Sequence, residues 1–280
     1  MGKLFSNIRK QLTDAGIEPG EAQAFGFMLM EWAAGLSRVD VLAGSDDELP
    51  SATQERLWPL VARLVKGEPI QYVIGSAPFC GLSIGVRPGV LIPRPETEEL
   101  VEAVSKRAGS SILDIGTGSG CIALALKHLC PSATVTAFDI SAETLQVATD
   151  NARRLGLDIG FEQHDILAMQ PDGRRWDTIV SNPPYICDGE KCDMQATVTD
   201  YEPHIALFVP DSDPLLFYTA ITRFAMRSLK AGGLLAFETN RRFAAEVGRL
   251  LCQSGFADTE VLQDSFGNDR IVIGTYSETT

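Results

Sequence analysis

The sequence has 280 residues, of which 45% are hydrophobic and 22% are charged, a globular composition with room for one large domain and a smaller one. Its formal net charge of −13 argues against a surface built to neutralise nucleic-acid phosphates, so we expect no direct nucleic-acid binding. No apolar run of about 18 residues occurs and the first ten residues lack the layout of a signal peptide, which predicts a cytoplasmic protein with no membrane partner.

Residues 1–75 predict a separate helical domain. Apolar side chains recur at helical spacing between Ala22 and Trp32, and glycines and a proline divide the segment into short helices. A further helix is expected from Ser51 to Lys66, where Ser51 and Gln54 have the spacing of a capping box. We interpret the apolar stripe as the core of a small helical bundle, and a role in docking a partner is compatible with it.

Residues 76–95 predict a connector between the helical domain and the rest of the chain. Glycine and proline interrupt short apolar alternations such as Leu82, Ile84 and Val86, which indicates a β-hairpin. At the end of the connector, proline and acidic residues around 93–99 are typical of a helix start. Arg94 or the carboxylates that follow it could instead face a substrate, and the sequence leaves both interpretations open.

Residues 96–280 alternate strands with helices, which predicts an α/β domain built on a parallel sheet with helices on both faces. The expected strands are 111–114, 134–138, 160–164, 176–181 and 234–238, the expected helices are 121–129, 142–155, 214–230 and 241–254, and the last strands lie near 261 and at 271–276. Residues 188–200 are expected to form a polar loop of a length that is often functional.

A glycine-rich turn, Asp114-Ile115-Gly116-Thr117-Gly118-Ser119-Gly120, connects the first of these strands to its helix. Glycine lets the backbone turn sharply and approach a ligand closely. Asp139 ends the next strand, where a carboxylate can accept hydrogen bonds from both hydroxyls of a ribose. These features indicate a nucleoside-bearing cofactor. By themselves they do not decide between NAD and S-adenosylmethionine, although the glycine spacing departs from the dinucleotide fingerprint.

Asn182-Pro183-Pro184-Tyr185 follows the strand 176–181, at the edge where open parallel sheets place their ligands. An amide nitrogen is a poor nucleophile because its lone pair is delocalised. The Asn182 side-chain oxygen and the Pro183 carbonyl can each accept one N–H of an NH₂ group and favour charge build-up on nitrogen, while Tyr185 can cover the substrate plane or the sulfonium. The motif therefore predicts methylation of a planar nitrogen without a strong base.

Further motifs are spread along nearly the whole chain. They are Gly-Glu-Pro-Ile-Gln-Tyr at 67–72, Leu-Ile-Pro-Arg-Pro-Glu-Thr-Glu at 91–98, Asn-Pro-Pro-Tyr-Ile at 182–186, Tyr-Glu-Pro at 201–203 and Gly-Asn-Asp-Arg at 267–270. Together with the glycine turn they resemble the peptide chain release factor glutamine N5-methyltransferase family of the PrmC/HemK type. The resemblance implies a class I S-adenosylmethionine-dependent methyltransferase domain with a Rossmann-like, seven-stranded sheet, and a helical N-terminal domain that docks the release factor.

The resemblance also implies an activity in translation termination. The methyl group of S-adenosyl-L-methionine would pass to the glutamine of the Gly-Gly-Gln loop in class I release factors. The implied cofactor contacts are Gly116, Thr117, Gly118, Ser119, Gly120, Asp139, Asp165, Ile166 and Asn182, with Asp165 and Ile166 beside the adenine. Asn182 and Pro183 would be catalytic, and Asn182, Pro183, Pro184 and Tyr185 would bind the glutamine. Thr239-Asn240 departs from the family, which commonly has a glycine soon after the preceding acid, and this departure puts the local turn in doubt.

Other functions remain open from the residues alone. A ribosomal-protein glutamine methyltransferase would share most of these motifs. A DNA adenine or cytosine amino-methyltransferase would share Asn-Pro-Pro-Tyr, but the acidic charge disfavours it. A non-catalytic binding module would not need Asn182. We expect a monomer, and we predict no metal site because the six cysteines and three histidines lack the paired spacing of zinc ligands.

Overall fold

The computed structural model describes residues 2–277, apart from the side chain of residue 193, and it divides the chain into two compact units. The first unit runs to Ser76 and includes Gln195–Tyr201, and the second contains Ala77–Met194 and the chain from Glu202 onward. Met1 and residues 278–280, at the ends of the predicted domains, lie outside the described residues. Within that described part, none of the helices combines the length and apolar composition that a bilayer crossing demands.

The first unit is helical, as its apolar spacing predicts. Its N-terminal part contains α1 (Lys3–Asp14), α2 (Pro19–Ala34), α3 (Arg38–Ala43), a 3₁₀ helix (Ser45–Glu48), α4 (Ser51–Val65) and α5 (Ile70–Ile74). The apolar stripe faces inward in part: Ala22 and Leu29 are fully buried in one cluster, Phe25 and Met28 are partly buried against it, and Trp32 is 41% exposed. The expected capping box at Ser51 is wrong: Pro50 precedes the helix without a side-chain cap, and the Gln54 amide donates to the Leu49 carbonyl at 2.8 Å.

The start of α1 is capped by a carboxylate that is distant in sequence. Asp46 is fully buried and accepts hydrogen bonds from the backbone amides of Gly2 at 3.0 Å and Phe5 at 2.8 Å. These amides belong to the first turn, where no intrahelical partner exists. A Cβ at position 2 would lie 2.1 Å from Asp46 Oδ1, so any residue other than glycine there would displace the capping carboxylate.

Asp46→Ala is expected to destabilise the first unit by about 1–3 kcal/mol, because two backbone donors lose their acceptor at a buried helix end. Urea unfolding followed by far-UV circular dichroism measures the change. Asp47→Ala is the matched control, since the neighbouring carboxylate accepts from Lys3 N in an exposed position. Equal losses in the two variants would contradict the role of Asp46.

The second unit begins with the predicted hairpin, formed by β1 (Ser76–Phe79) and β2 (Leu82–Gly85). Cys80 and Gly81 both have positive φ, 47° and 76°, which is the type I′ geometry that matches the twist of the two strands. Asn151 connects this hairpin to the large sheet's helical layer: its side chain accepts from Gly85 N at 2.8 Å and donates to Gly85 O at 2.9 Å.

The rest of the chain alternates strands and helices as predicted. In order the elements are α6 (Pro95–Ser105), β3 (Ser111–Ile115), α7 (Cys121–Leu129), β4 (Thr134–Asp139), α8 (Ala142–Leu155), β5 (Gly160–Gln163), β6 (Trp176–Ser181), β7 (Ile186–Cys187), α9 (Ala196–Tyr201), β8 (Phe208–Val209), α10 (Leu216–Ser228), β9 (Leu229–Glu238), α11 (Ala244–Gln253), β10 (Phe256–Gln263) and β11 (Asp269–Tyr276).

Seven strands form the main sheet in the order β10-β11-β9-β6-β3-β4-β5. The five strands from β9 to β5 are parallel, whereas β11 runs antiparallel to both of its neighbours. Alternate side chains of a strand enter opposite apolar layers, as Ile112 and Leu113 do, so both faces of the sheet are buried. The predicted α/β architecture is therefore confirmed, with an antiparallel edge in addition.

Two local predictions are wrong. The expected helix 214–230 ends at Ser228, because the chain already pairs with β6 at Leu229 and the glycines at 232 and 233 lie in an irregular part of β9. The expected loop 188–200 contains a 3₁₀ helix (Asp188–Asp193) and α9, a second 3₁₀ helix (His204–Ala206) follows, and β7 and β8 pair as a small parallel sheet. Tyr201 Oη at the end of α9 donates to Lys66 O at 2.9 Å within the first unit.

Candidate active site

A cavity of about 340 Å³ lies at the carboxyl ends of β3, β4 and β6. These ends are level, because Ile115 pairs with Phe138 on one side and with Ser181 on the other. The turns that follow the three strands therefore meet at one edge of the sheet, where open α/β sheets bind ligands. Eight of the sequence-predicted site residues line this cavity: Gly116, Gly118, Asp139, Asp165, Ile166, Asn182, Pro183 and Pro184.

The glycine turn forms one wall of the cavity. Gly116, Gly118 and Gly120 have φ values of +74°, +57° and +84°, a conformation in which a side chain would be strained. The backbone amides of Gly116 and Thr117 donate to the Phe138 carbonyl at 2.9 and 3.0 Å, which fixes the turn against the end of β4. The turn thus exposes backbone at Gly116 and Gly118 without side chains to obstruct a ligand.

Three residues of the turn that were expected at the cofactor lie behind the cavity wall. Thr117 Oγ1 donates to the buried Asp114 Oδ2 at 2.6 Å, and the Ser119 carbonyl accepts from Asn151 Nδ2 at 2.9 Å. Gly120 packs against α8, where an added Cβ would lie 3.0 Å from the Cβ of Ala148. In the structure, these residues shape the turn, and their predicted direct contacts with a cofactor remain predictions.

Asp114 is a buried acid that the sequence identified only as the start of the glycine motif. Burial raises its pKa to about 7, against the opposing effect of hydrogen bonds from Thr117 and Ala123. Among the described residues, Asp114 Oδ1 and Ser119 Oγ are two of the few buried polar side-chain atoms without a hydrogen-bond partner. Both atoms belong to the glycine turn, so this turn contains buried polar atoms that could still form hydrogen bonds.

Asp139 presents a carboxylate to the cavity from the end of β4. Its Oδ2 accepts from Gly118 N at 2.9 Å and its Oδ1 from Ser141 N at 3.0 Å. Burial raises the pKa of this carboxyl, and the backbone hydrogen bonds oppose the rise. An ionised carboxylate offers about four acceptor sites, so it can still receive a ligand hydroxyl. The glycine turn, this acceptor and the apolar side chains of Ile140 and Ile166 fit a nucleoside-bearing cofactor.

Asn182 follows β6 on the other side of β3. The preceding Ser181 is buried, and its hydroxyl donates to the Ile115 carbonyl at 2.6 Å, which joins the two strand ends. Asn182 Nδ2 donates to Thr97 Oγ1 at 3.2 Å. Two prolines then stiffen the backbone, as the sequence predicts, and both border the cavity.

Tyr185 does not border the cavity. Its hydroxyl donates to Glu238 Oε1 at 3.1 Å, while Thr97 Oγ1 donates to Glu238 Oε2 at 2.6 Å. Burial raises the pKa of Glu238 and, together with the nearby Glu238 charge, raises the pKa of Tyr185 above its ordinary value. Sequence reasoning missed the contacts of Thr97 and Glu238, although an acid at the carboxyl end of the strand next to β6 was an available signal.

Arg94 has a protein carboxylate as its partner. It is the residue before α6, and its Nη2 donates to Glu202 Oε1 at 2.6 Å, while Ile92 N donates to Glu202 Oε2 at 3.1 Å. Glu202 is buried. The segments on either side of this contact, Gly89–Leu91 and Pro203–Ala206, both contribute residues to the cavity wall. Glu202 therefore ties two walls of the cavity together.

The turn after β9 needs no glycine in this chain. Among the described residues, positive φ outside glycine occurs only at Cys80 and Asp258, so Thr239 and Asn240 are unstrained. Thr239 N donates to the Arg270 carbonyl at 2.7 Å, and Arg270 Nη1 donates to the Thr239 carbonyl at 3.3 Å. The Gly-Asn-Asp-Arg motif thus holds the backbone that carries Glu238.

Comparison with known proteins gives matches over both units. Residues 3–75 match the family model described as PrmC N-terminal domain, and residues 95–199 match the one described as Methyltransferase small domain. The chain is 42% identical to Release factor glutamine methyltransferase of Bacteroides thetaiotaomicron, over 97% of this chain and 99% of that protein. It is 39% identical to the protein of the same name from Flavobacterium psychrophilum, over 96% and 98% of the two chains.

A solved structure supports the fold alone. The crystal structure of a methyltransferase from Pyrococcus furiosus matches with a TM-score of 0.54 and 21% identity, covering 78% of this chain and 98% of that one. This match confirms the arrangement of the sheet and its helices, and the Methyltransferase small domain model over residues 95–199 confirms that the domain is of the expected methyltransferase class.

Proposed function

Because the chain belongs to the family of release factor glutamine methyltransferases, we propose that it transfers the methyl group of S-adenosylmethionine to the side-chain nitrogen of a glutamine in a class I release factor. The observation that carries this proposal is the meeting of Asp139 and Asn182 at one cavity on level strand ends. One end of that cavity suits a ribose, and the other suits an NH₂ group.

The cofactor end consists of residues at the carboxyl ends of three strands, β3, β4 and β5. Backbone at Gly116 and Gly118 would lie along the methionine and ribose, and the Asp139 carboxylate would accept the ribose hydroxyls. Asp165 and Ile166, which border the same cavity, would flank the adenine. S-adenosylmethionine supplies an electrophilic methyl carbon on a cationic sulfur.

The substrate end orients the attacking nitrogen. Asn182 Oδ1 and the Pro183 carbonyl would each accept one N–H of the glutamine amide, which holds its plane and directs its lone pair at the methyl carbon. Alignment of this kind contributes much of the acceleration, because the entropy of approach is already lost on binding. The nitrogen becomes acidic only as it turns cationic, so water can remove its proton and no strong base is required.

Incubation of the purified chain with labelled S-adenosylmethionine tests the proposal. The acceptors are a release factor, its Gln→Ala variant in the Gly-Gly-Gln loop, ribosomes and DNA. We expect label on the wild-type release factor and none on the loop variant. Label on ribosomal protein or on DNA instead, or undiminished label on the loop variant, would contradict the proposed substrate.

We also propose that the protein acts as a cytoplasmic monomer without membrane or nucleic-acid partners. The net charge of −13 supports the absence of nucleic-acid partners, because binding to nucleic-acid phosphates depends on clustered positive charge. Light scattering on the purified chain would test the oligomeric state.

A further inference from the structure

We propose that Thr97 and Glu238 are positioning residues that fix the orientation of the Asn182 side-chain amide, so that its oxygen and not its NH₂ group faces the substrate nitrogen. The inference rests on the proposed function, in which Asn182 accepts from the glutamine amide. The three side chains come from the first turn of α6, the end of β9 and the end of β6, and they form one continuous hydrogen-bonded chain.

The direction of this chain starts at Glu238. An ionised carboxylate only accepts hydrogen bonds, whereas a hydroxyl has one donor and two acceptor positions. Thr97 Oγ1 lies 2.6 Å from Glu238 Oε2, so the single Thr97 proton is directed at the carboxylate. The other carboxylate oxygen accepts from Tyr185 at 3.1 Å, which leaves both oxygens in use as acceptors.

The same reasoning then determines the orientation of the Asn182 side-chain amide. With its proton committed to Glu238, Thr97 Oγ1 can only accept from Asn182, and the amide atom 3.2 Å away must be Nδ2. Oδ1, on the other branch of the amide, is left for the substrate in the cavity that Asn182 borders. In a flipped amide, Asn182 Oδ1 would face Thr97 Oγ1, and neither oxygen would have a proton to donate. Its NH₂ group would face the NH₂ group of the substrate, and neither could accept, so this orientation is unfavourable at both contacts.

Burial strengthens the hydrogen bonds that join Glu238, Thr97 and Asn182. Thr97 and Glu238 are only 2% and 1% exposed, so water does not offer Thr97 an alternative acceptor. Hydrogen bonds are stronger in such surroundings, and an unpaired polar group costs more than in water. Burial raises the pKa of Glu238, and hydrogen bonds from Thr97 and Tyr185 and the nearby Arg270 charge oppose that rise.

Thr97→Val and Thr97→Ser form a matched pair of variants. Valine preserves the shape and removes the hydroxyl, while serine preserves the hydroxyl. At saturating release factor and cofactor, we expect Thr97→Val to lower kcat by roughly 10-fold or more, because the amide is no longer held in one orientation. We expect Thr97→Ser to stay within about 3-fold of wild type, and the dissociation constant of S-adenosylmethionine, measured by calorimetry, to stay within about 3-fold in both variants.

Several results would overturn the inference. They are an unchanged kcat in Thr97→Val, an equal loss in Thr97→Ser, or a loss of cofactor affinity that matches the loss of kcat, since each indicates that the hydroxyl does not act through Asn182. If Thr97→Val fails to fold, Glu238→Gln takes its place with the same expected separation of kcat from cofactor affinity, because an amide at 238 can donate to Thr97 and permits the reversed chain.

A second measurement does not depend on the substrate. In protein labelled with ¹⁵N at asparagine side chains, the Asn182 NH₂ resonance, assigned by its absence in Asn182→Ala, reports its own hydrogen bond. We expect it to shift in Thr97→Val and to stay near its wild-type position in Thr97→Ser. If the wild-type chain labels no release factor, the proposed function fails and this resonance alone decides the orientation. An unshifted resonance in Thr97→Val would overturn it.

Discussion

Asn182→Ala lowers the rate of methyl transfer by about 10²-fold or more, while the affinity for S-adenosylmethionine changes only a few-fold; this is the largest effect that we expect from one substitution. Alanine removes the side-chain oxygen that would accept one N–H of the glutamine amide. The Pro183 carbonyl remains, but a single acceptor does not define the plane of an NH₂ group. The residues after β3, β4 and β5 that line the cofactor end are not changed by the substitution.

Single-turnover methylation and calorimetric titration of the cofactor measure the two quantities separately. Single turnover isolates the transfer step from product release. Thermal unfolding of the variant serves as the control for folding. Methyl transfer within about 3-fold of wild type, or a cofactor affinity that falls as far as the rate does, would refute the assignment of Asn182 to the substrate.

Asp139→Asn is expected to weaken cofactor binding by roughly 10-fold or more, because hydrogen bonds to a charged acceptor are stronger than those to a neutral one. The amide retains one acceptor oxygen, and its NH₂ group cannot accept from the backbone amide of Gly118 or Ser141 as the replaced carboxylate oxygen does. The Gly118 amide depends on the same carboxylate, at 2.9 Å, so the glycine turn also loses part of its support.

Asp158→Asn is the matched control for Asp139→Asn. It makes the same chemical change on an exposed side chain that does not border the cavity. Calorimetry should give a wild-type dissociation constant for S-adenosylmethionine in this control. Equal weakening in both variants would show that the effect comes from net charge and not from a contact of Asp139.

The sequence predicts the framework of the sheet well because its signals there are local. Helices α7 and α8 have the boundaries that their apolar spacing predicts, and β6 begins and ends where expected. The glycine turn and the Pro-Pro pair restrict the backbone wherever they occur. Level ends of parallel strands then bring Asp139 and Asn182 to one edge of the sheet.

The remaining features depend on contacts that no local pattern records. Thr97 meets Glu238 across 141 positions of the chain, so the partner of each could not be read from the sequence. Thr117 and Ser119 are buried and do not line the cavity, and their residue types alone do not specify this placement. In the segment after Asn182, short helices stand where the sequence predicts a loop. The sequence did not reveal them because each is too short to give a periodic signal.

The hydrogen bond from Ser181 to Ile115 has a consequence for thermal loosening of the molecule. Asp139 and Asn182, at the two ends of the cavity, are at the carboxyl ends of β4 and β6, which lie on either side of β3. Their separation is therefore fixed by the backbone ladders that join β3 to both strands and by this buried side-chain bond. Elements at the periphery can fray on warming without altering that separation. Heating short of global unfolding should therefore leave the alignment of the two ends of the cavity unchanged.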